Sequence, residues 1–388
     1  MLNRRAFLRT GAAGLLGSLA ASRLAFAAAP TDNRFVFVFL RGGLDGLHAL
    51  APFADADYHR LRPGLALQAD QVLSLDGYFG MHPALAPLMP LWQDGTLGFV
   101  PAAATGYRER SHFDGQNMLE NGSGQPFGAR DGWLNRAILG LNGGDRRLGL
   151  ALGPAVPLIL QGPAHVQAWV DEQLPDLDED FLARLAQVYQ ADPLFAAALG
   201  DARGAPEPDM GMGAAGAQGD RRAFSVAARA AGDLLARADG PRIAVMELQG
   251  WDTHTGQAWR LERMLETLAD GLRTLADRLG PAWAQTVVMV GSEFGRTAAQ
   301  NGSGGTDHGT GGLAMLAGGA VRGGRIAGRW PGLNDAALFE DRDVLAANAY
   351  EGIFKAILIR HLGLTPAFVE AAVFPDSRAI APMEGLLR

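Results

Sequence analysis

The sequence predicts an α/β protein built on a doubly wound, mostly parallel sheet sandwiched by helices. Two observations carry this expectation. Short apolar runs bounded by glycine recur along the chain, as buried strands of parallel sheets do. Amphipathic helical segments lie between them, and strands alternating with helices imply helices on both faces of one sheet.

The opening, Asn3-Arg4-Arg5-Ala6-Phe7-Leu8-Arg9, is a basic pair followed by an apolar anchor. A weakly apolar stretch from Gly11 to Ala21 and the tract Ala25-Phe26-Ala27-Ala28-Ala29 follow it. That order is a removable secretory signal, and the paired arginines favour the twin-arginine route. A membrane anchor is the competing reading. Arg23 interrupts the run, which falls short of the roughly 20 apolar residues a span requires. We therefore expect residues 1–29 to be a leader, twin-arginine export machinery to be a partner, and the mature protein to be periplasmic or secreted. Residues 30–388 are expected to form a single domain.

Cleavage near Ala27 or Ala29 removes four arginines, taking Lys plus Arg from 34 to 30 against 41 Asp plus Glu, a net charge of −11. An acidic chain of this kind is a poor ligand for a phosphate backbone, so no nucleic acid is expected. No later segment has the length and apolarity of a membrane span. Cysteine is absent, which removes disulfides, thiolate metal sites and a cysteine nucleophile together.

The first strand is expected at Arg34–Leu40, closed by Arg41-Gly42-Gly43-Leu44-Asp45-Gly46. Others follow at Leu97–Pro101, Arg242–Leu248, Thr286–Gly291 and Leu313–Gly318. Pro83–Asp94 carries Leu85, Leu88, Met89 and Trp92 at helical spacing. Trp259–Leu279 places Leu261, Leu265, Leu268, Leu272 and Leu275 on one face. From about 171 to 238 the chain reads as an alanine-rich helical insertion, interrupted by a Gly/Ala/Pro/Met loop at 200–220.

Polar residues gather beside the strands. Asp45 follows the first, Asp252 and His254 follow the third, and Glu293 follows the fourth. Asp307 and His308 precede the fifth, in Gly305-Thr306-Asp307-His308-Gly309. Carboxylates and imidazoles converging at one sheet edge suit Zn²⁺, Mn²⁺ or Mg²⁺. Each residue also has a plainer reading. Asp45 fits a turn, Asp252 a helix cap, and Glu293 a pair with Arg296. Asp307 fits a partner that orients His308. His59 and His361 look structural, and His82 looks like a helix-entry residue. Ser111-His112-Phe113-Asp114 follows the second strand. Ser111 is either a helix N-cap or a nucleophile, with His112 a ligand or proton carrier and Arg108 and Arg110 facing substrate oxygens.

Together the leader, the Arg41-Gly42-Gly43-Leu44-Asp45 loop, Arg110-Ser111-His112-Phe113, Gly250-Trp251-Asp252-Thr253-His254, Ser292-Glu293-Phe294-Gly295-Arg296-Thr297 and Thr306-Asp307-His308-Gly309 resemble a bacterial, twin-arginine-exported family catalogued as a domain of unknown function. That family looks like a branch of the alkaline phosphatase and sulfatase superfamily. The resemblance implies that superfamily's α/β sandwich, with a two-metal or reduced site at the strand ends. By position, Asp45, Asp252, His254, Glu293 and His308 are implied metal ligands, and Ser111 stands in the nucleophile region. Glu293-Phe294 replaces an expected Asp-His pair and so removes one imidazole.

The expected activity is divalent-metal-dependent hydrolysis of a small phosphate or sulfate ester. Ser111 or hydroxide generated at the ion attacks, and Arg296 or Arg110 neutralises the oxyanion. The alternative is a non-catalytic metal-binding or assembly protein on the same fold. A dinucleotide oxidoreductase lacks its G-x-G-x-x-G fingerprint at the first strand.

Overall fold

The computed structural model describes residues 31–142, 148–153, 155–171 and 217–388. The expected leader and most of the expected insertion lie outside the described residues.

Among the described residues nine strands form one sheet: β1 (Arg34–Leu40), β2 (Leu97–Ala104), β3 (Gly149–Leu152), β4 (Val166–Trp169), β5 (Ile243–Leu248), β6 (Thr286–Gly291), β7 (Gly312–Ala317), β8 (Arg325–Ile326) and β9 (Asn348–Ala349). Their order is β8-β2-β7-β6-β1-β5-β3-β4, with β9 also paired to β2. All pairings are parallel except those of β7, which runs antiparallel to both β6 and β2. The expected α/β class with a mostly parallel sheet is the class observed.

Strand β1 is buried along its whole length and sends alternate side chains to opposite faces. Phe35, Phe37 and Phe39 pack with the helices Trp133–Asn142 and Tyr350–Ala356. Val36, Val38 and Leu40 pack on the other side with Ala217–Ala236 and Gln257–Leu279. A strand apolar on both faces is what a two-sided helical cover demands. The stripe expected on the long helix is present: Leu261, Leu265, Leu268, Leu272 and Leu275 are all buried. Each contributes roughly 1.5–3 kcal/mol on burial, far more than helix propensity supplies.

Two expectations change. Pro83–Leu88 is a 3₁₀ turn and only Met89–Gln93 is α-helical, because Pro87 and Pro90 each lack an N–H for the i−4 bond. The fifth predicted strand is β7, and it is reversed. The segment from Ser292 to Gly311 carries no helix that could return it to the starting edge of the sheet, as a parallel crossover requires. Among the described residues no helix is long and apolar enough to cross a membrane.

Candidate metal centre

The reversal of β7 builds the site. The loops after β1, β2, β5 and β6 leave the sheet at its carboxyl edge, where ligands bind in open α/β sheets. Because β7 starts where its neighbours end, the residues just before it, Asp307 and His308, arrive at that same edge. The connecting segment folds on itself, with Arg296 bridged antiparallel to His308 and Thr297 N bonded to the Asp307 carbonyl at 2.9 Å.

Close backbone approach is needed where the loops cross. Gly42 has φ +120°, and a Cβ there would stand 2.6 Å from the Asp252 nitrogen. Its N–H donates to Glu293 Oε1 at 2.9 Å, and the next two N–H groups, of Gly43 and Leu44, donate to Ser292 Oγ at 3.0 and 3.1 Å. At Gly309 a Cβ would lie 2.4 Å from the Arg296 carbonyl.

Three imidazoles and one carboxylate meet at the centre. His308 Nε2 lies 3.0 Å from both His112 Nε2 and His254 Nε2. Asp252 Oδ1 lies 3.1 Å from His308 Nε2 and 2.9 Å from His254 Nε2, and Oδ2 lies 3.5 Å from His112 Nε2. Each Nδ1 faces an acceptor instead. His112 Nδ1 meets Glu293 Oε1 at 2.7 Å, His254 Nδ1 meets Asp307 Oδ1 at 3.0 Å, and His308 Nδ1 meets the Arg110 carbonyl at 2.9 Å. An acceptor at every Nδ1 assigns the ring proton there. In the neutral rings the Nε2 lone pairs then point at one another and at a carboxylate. Such a cluster of electron pairs is repulsive unless a cation stands among them.

The donor set fits a divalent ion. Ligand atoms around a tetrahedral ion with bonds near 2.0–2.1 Å stand about 3.3 Å apart, close to the spacing found. His112, Asp252 and His308 form a group capable of holding a metal ion, and His254 meets two of the same atoms. Acceptors behind metal-binding histidines fix their tautomer and orientation, which is the place taken by Glu293, Asp307 and the Arg110 carbonyl.

The electrostatics follow from burial and neighbours. Burial pushes Asp252 up, but the Arg296 guanidinium, 2.6 Å from Oδ1, outweighs it and holds the carboxyl below its usual range. Burial likewise pushes Glu293 up, and hydrogen bonds from His112 and Gln116 bring it below its usual range. Asp307 is held down by Asn301 and His254. Burial lowers His112 yet the Glu293 carboxylate carries it above the ordinary histidine value. Burial and the neighbouring His112 carry His308 below it.

The sequence-derived candidates are thus divided. His112, Asp252, His254 and His308 come together. Asp45 does not join them: its carboxylate is a buried ion pair with Arg62, at 2.8 Å, and caps the short helix Gly46–Ala49 through Leu47 N and His48 N. Glu293 and Asp307 approach the Nδ1 side of His112 and His254, not the central atoms. Arg296 is wholly buried; it grips Asp252, both the carbonyl and hydroxyl of Thr306, and the Gly42 carbonyl, so no face of it reaches a substrate. Arg110 pairs with Glu340 and Asp343, and its backbone, at φ +61°, turns its carbonyl to His308. Arg108 bonds the carbonyls of Thr105 and Tyr107. Ser111 occupies the N-cap position of helix His112–Asn121 with no side-chain capping bond.

The plainer readings of two histidines hold. His82 caps Pro83–Leu88, its Nδ1 accepting from Ala84 N, and buried His361 bonds the Arg34 carbonyl. Sequence reasoning missed Gln116, Arg62, Gln257 and Thr306. Gln116 was findable: one helical turn beyond His112, it shares that face and donates to Glu293 Oε1 at 2.9 Å. Phe294 walls the centre, its ring 4.8 Å from His112 and 5.3 Å from His308.

Fold and site together define an α/β protein with an imidazole–carboxylate cluster at the carboxyl edge of its sheet. The chain belongs to the family described as Protein of unknown function (DUF1501), whose model matches residues 97–371; the family resemblance drawn from the motifs is borne out. No curated protein matches the sequence significantly. Among solved structures, the chain is similar to Ps i-CgsB in complex with k-i-k-neocarrahexaose, at 12% identity and TM-score 0.43, covering 89% of this chain and 74% of that one. It is similar to a protein in the alkaline phosphatase superfamily from Vibrio parahaemolyticus, at 10% identity and TM-score 0.36, covering 82% and 71%. It is also similar to the C-terminal periplasmic domain of EcEptC from Escherichia coli in complex with Zn, at 9% identity and TM-score 0.33, covering 76% of each.

Proposed function

We propose that this protein is a divalent-metal-dependent hydrolase of phosphate or sulfate esters that works outside the cytoplasm. The observation that carries the reading is the convergence of three imidazole Nε2 atoms on the Asp252 carboxylate. His112, Asp252 and His308 would hold the ion, joined by His254. When bound, such an ion neutralises phosphoryl or sulfuryl oxygens and makes a nearby hydroxyl more acidic.

The rest falls to the chain. Ser111 directly precedes the ligand His112 at a helix N-terminus, where free N–H groups and the helix dipole favour an anionic ester. Its hydroxyl is not spent on capping and is the candidate attacking group. Glu293, fixed by Gly42 N, Gln116 and Ser292, holds the His112 ring. Arg296 orients Asp252. Phe113 is 84% exposed beside His112 and offers an apolar contact to the leaving group. Export rests on Arg4-Arg5 and the following apolar tract, and cell fractionation of an Arg4→Lys, Arg5→Lys variant tests it.

The purified exported protein should contain divalent metal and hydrolyse generic aryl phosphate or sulfate esters. Absence of both after loading with Zn²⁺, Mn²⁺ and Mg²⁺ overturns the proposal. The alternative, a metal-binding or assembly protein without turnover, draws on Phe294, an aromatic ring where the superfamily pattern has an imidazole. An unchanged phenotype for Ser111→Ala beside a damaged His308→Ala favours it.

A further inference from the structure

The carboxylates at this sheet edge differ in whether they have electron pairs left to give. Asp45 has none. Oδ1 accepts from Leu47 N, His48 N and Arg62 Nη1, and Oδ2 from Arg62 Nη1 and Gln257 Nε2. Arg62 cannot swing away, because its remaining donors hold the carbonyls of Ala298 and Thr297 at 2.8 Å each. Both side chains are essentially without exposure. Glu293 is wholly buried and turned to the His112 ring: Oε1 serves Gly42 N, Gln116 and His112, while Oε2 faces Ser292 Oγ, whose hydroxyl also meets the Leu40 carbonyl. Arg296 is the second buried cation, and it already occupies one side of Asp252 Oδ1.

Resting on the metal-dependent reading above, we infer that the site takes a single divalent ion, held by the outer imidazole cluster. The Arg62 guanidinium serves as the built-in cation of Asp45, and Arg296 takes one side of the ligand Asp252. Asp45 is then half of a structural ion pair and not a ligand.

Native mass spectrometry of the folded wild-type protein, loaded separately with Zn²⁺ and Mn²⁺, tests the stoichiometry without a variant. One ion per chain is expected. Competition dialysis then compares variants whose folding is confirmed by circular dichroism. Asp45→Asn should keep the stoichiometry and hold the ion within about threefold of wild type, whereas His308→Ala should weaken it by about 100-fold or more. Two ions per chain, or a tenfold weaker ion in folded Asp45→Asn, overturns this inference and leaves the hydrolase proposal standing. No ion under any loading removes both.

Discussion

The Asp45–Arg62 pair offers a sharp test, because its chemistry depends on which cation Asp45 serves. In Arg62→Leu a carboxylate with 1% exposure loses the guanidinium at 2.8 Å and keeps only neutral donors. Removing one partner of a buried pair costs about 3–5 kcal/mol, since the other charge stays buried. With an unfolding entropy of about 2.1 cal/mol/K per residue across 388 residues, that loss lowers Tm by about 4–6 °C.

The pH dependence carries the sign. In the wild type burial raises the Asp45 carboxyl, but Arg62 outweighs it and the net shift is downward. The pair's stability is therefore present above the unfolded carboxyl value near 4 and lost as pH falls through the lower folded value. Without Arg62 burial dominates and the folded value rises above the unfolded one. The variant's deficit should then be largest near pH 7 and shrink toward pH 5 as the carboxyl takes up a proton. Adding Asp45→Asn to Arg62→Leu should recover more than half of the deficit at pH 7. Differential scanning calorimetry across pH 5–8 on the two singles and the double provides the cycle. A deficit below about 1 kcal/mol, or one that grows on acidification, would refute the assignment.

Asp307→Asn should weaken ion binding about 10–100-fold while leaving Tm nearly unchanged, since its half-exposed carboxylate holds the His254 ring and otherwise only Asn301; competition dialysis reads it. Ser111→Ala should leave stability within about 0.5 kcal/mol, because its hydroxyl caps nothing, yet abolish ester turnover if that hydroxyl attacks; urea denaturation and an aryl phosphate assay separate the two. Gly309→Ala places a Cβ 2.4 Å from the Arg296 carbonyl and should cost about 2 kcal/mol or more with loss of bound metal, read by calorimetry and metal analysis. Burial carries His48 and His82 each down to about 4, so the unfolded chain binds protons first as pH falls below its own value near 6.5. Stability should decline from pH 6.5 toward 4, and His48→Gln should flatten that decline in urea titrations.

The sequence alone determined the alternation of strands and helices, since uninterrupted apolar runs such as Arg34–Leu40 and a five-leucine stripe on one helix have few other stable uses. It also marked His112, Asp252, His254 and His308, each beside a predicted strand and, for His308, amid glycines with little apolar sequence to pack against. Strands β3 and β4 escaped notice because four residues each give no readable period. The division of labour among the charged residues was illegible for a different reason. Asp45 and Asp252 both follow a strand and both precede a helix. Only in the folded chain does Arg62, at the C-cap of helix Ala56–Leu61, pair with one of them, while three imidazoles reach the other. The direction of β7 was equally hidden, being fixed by how its ends pair with β6 and β2. Local sequence sets what each residue can offer; which partner takes the offer is decided by distances that exist only once the sheet has assembled.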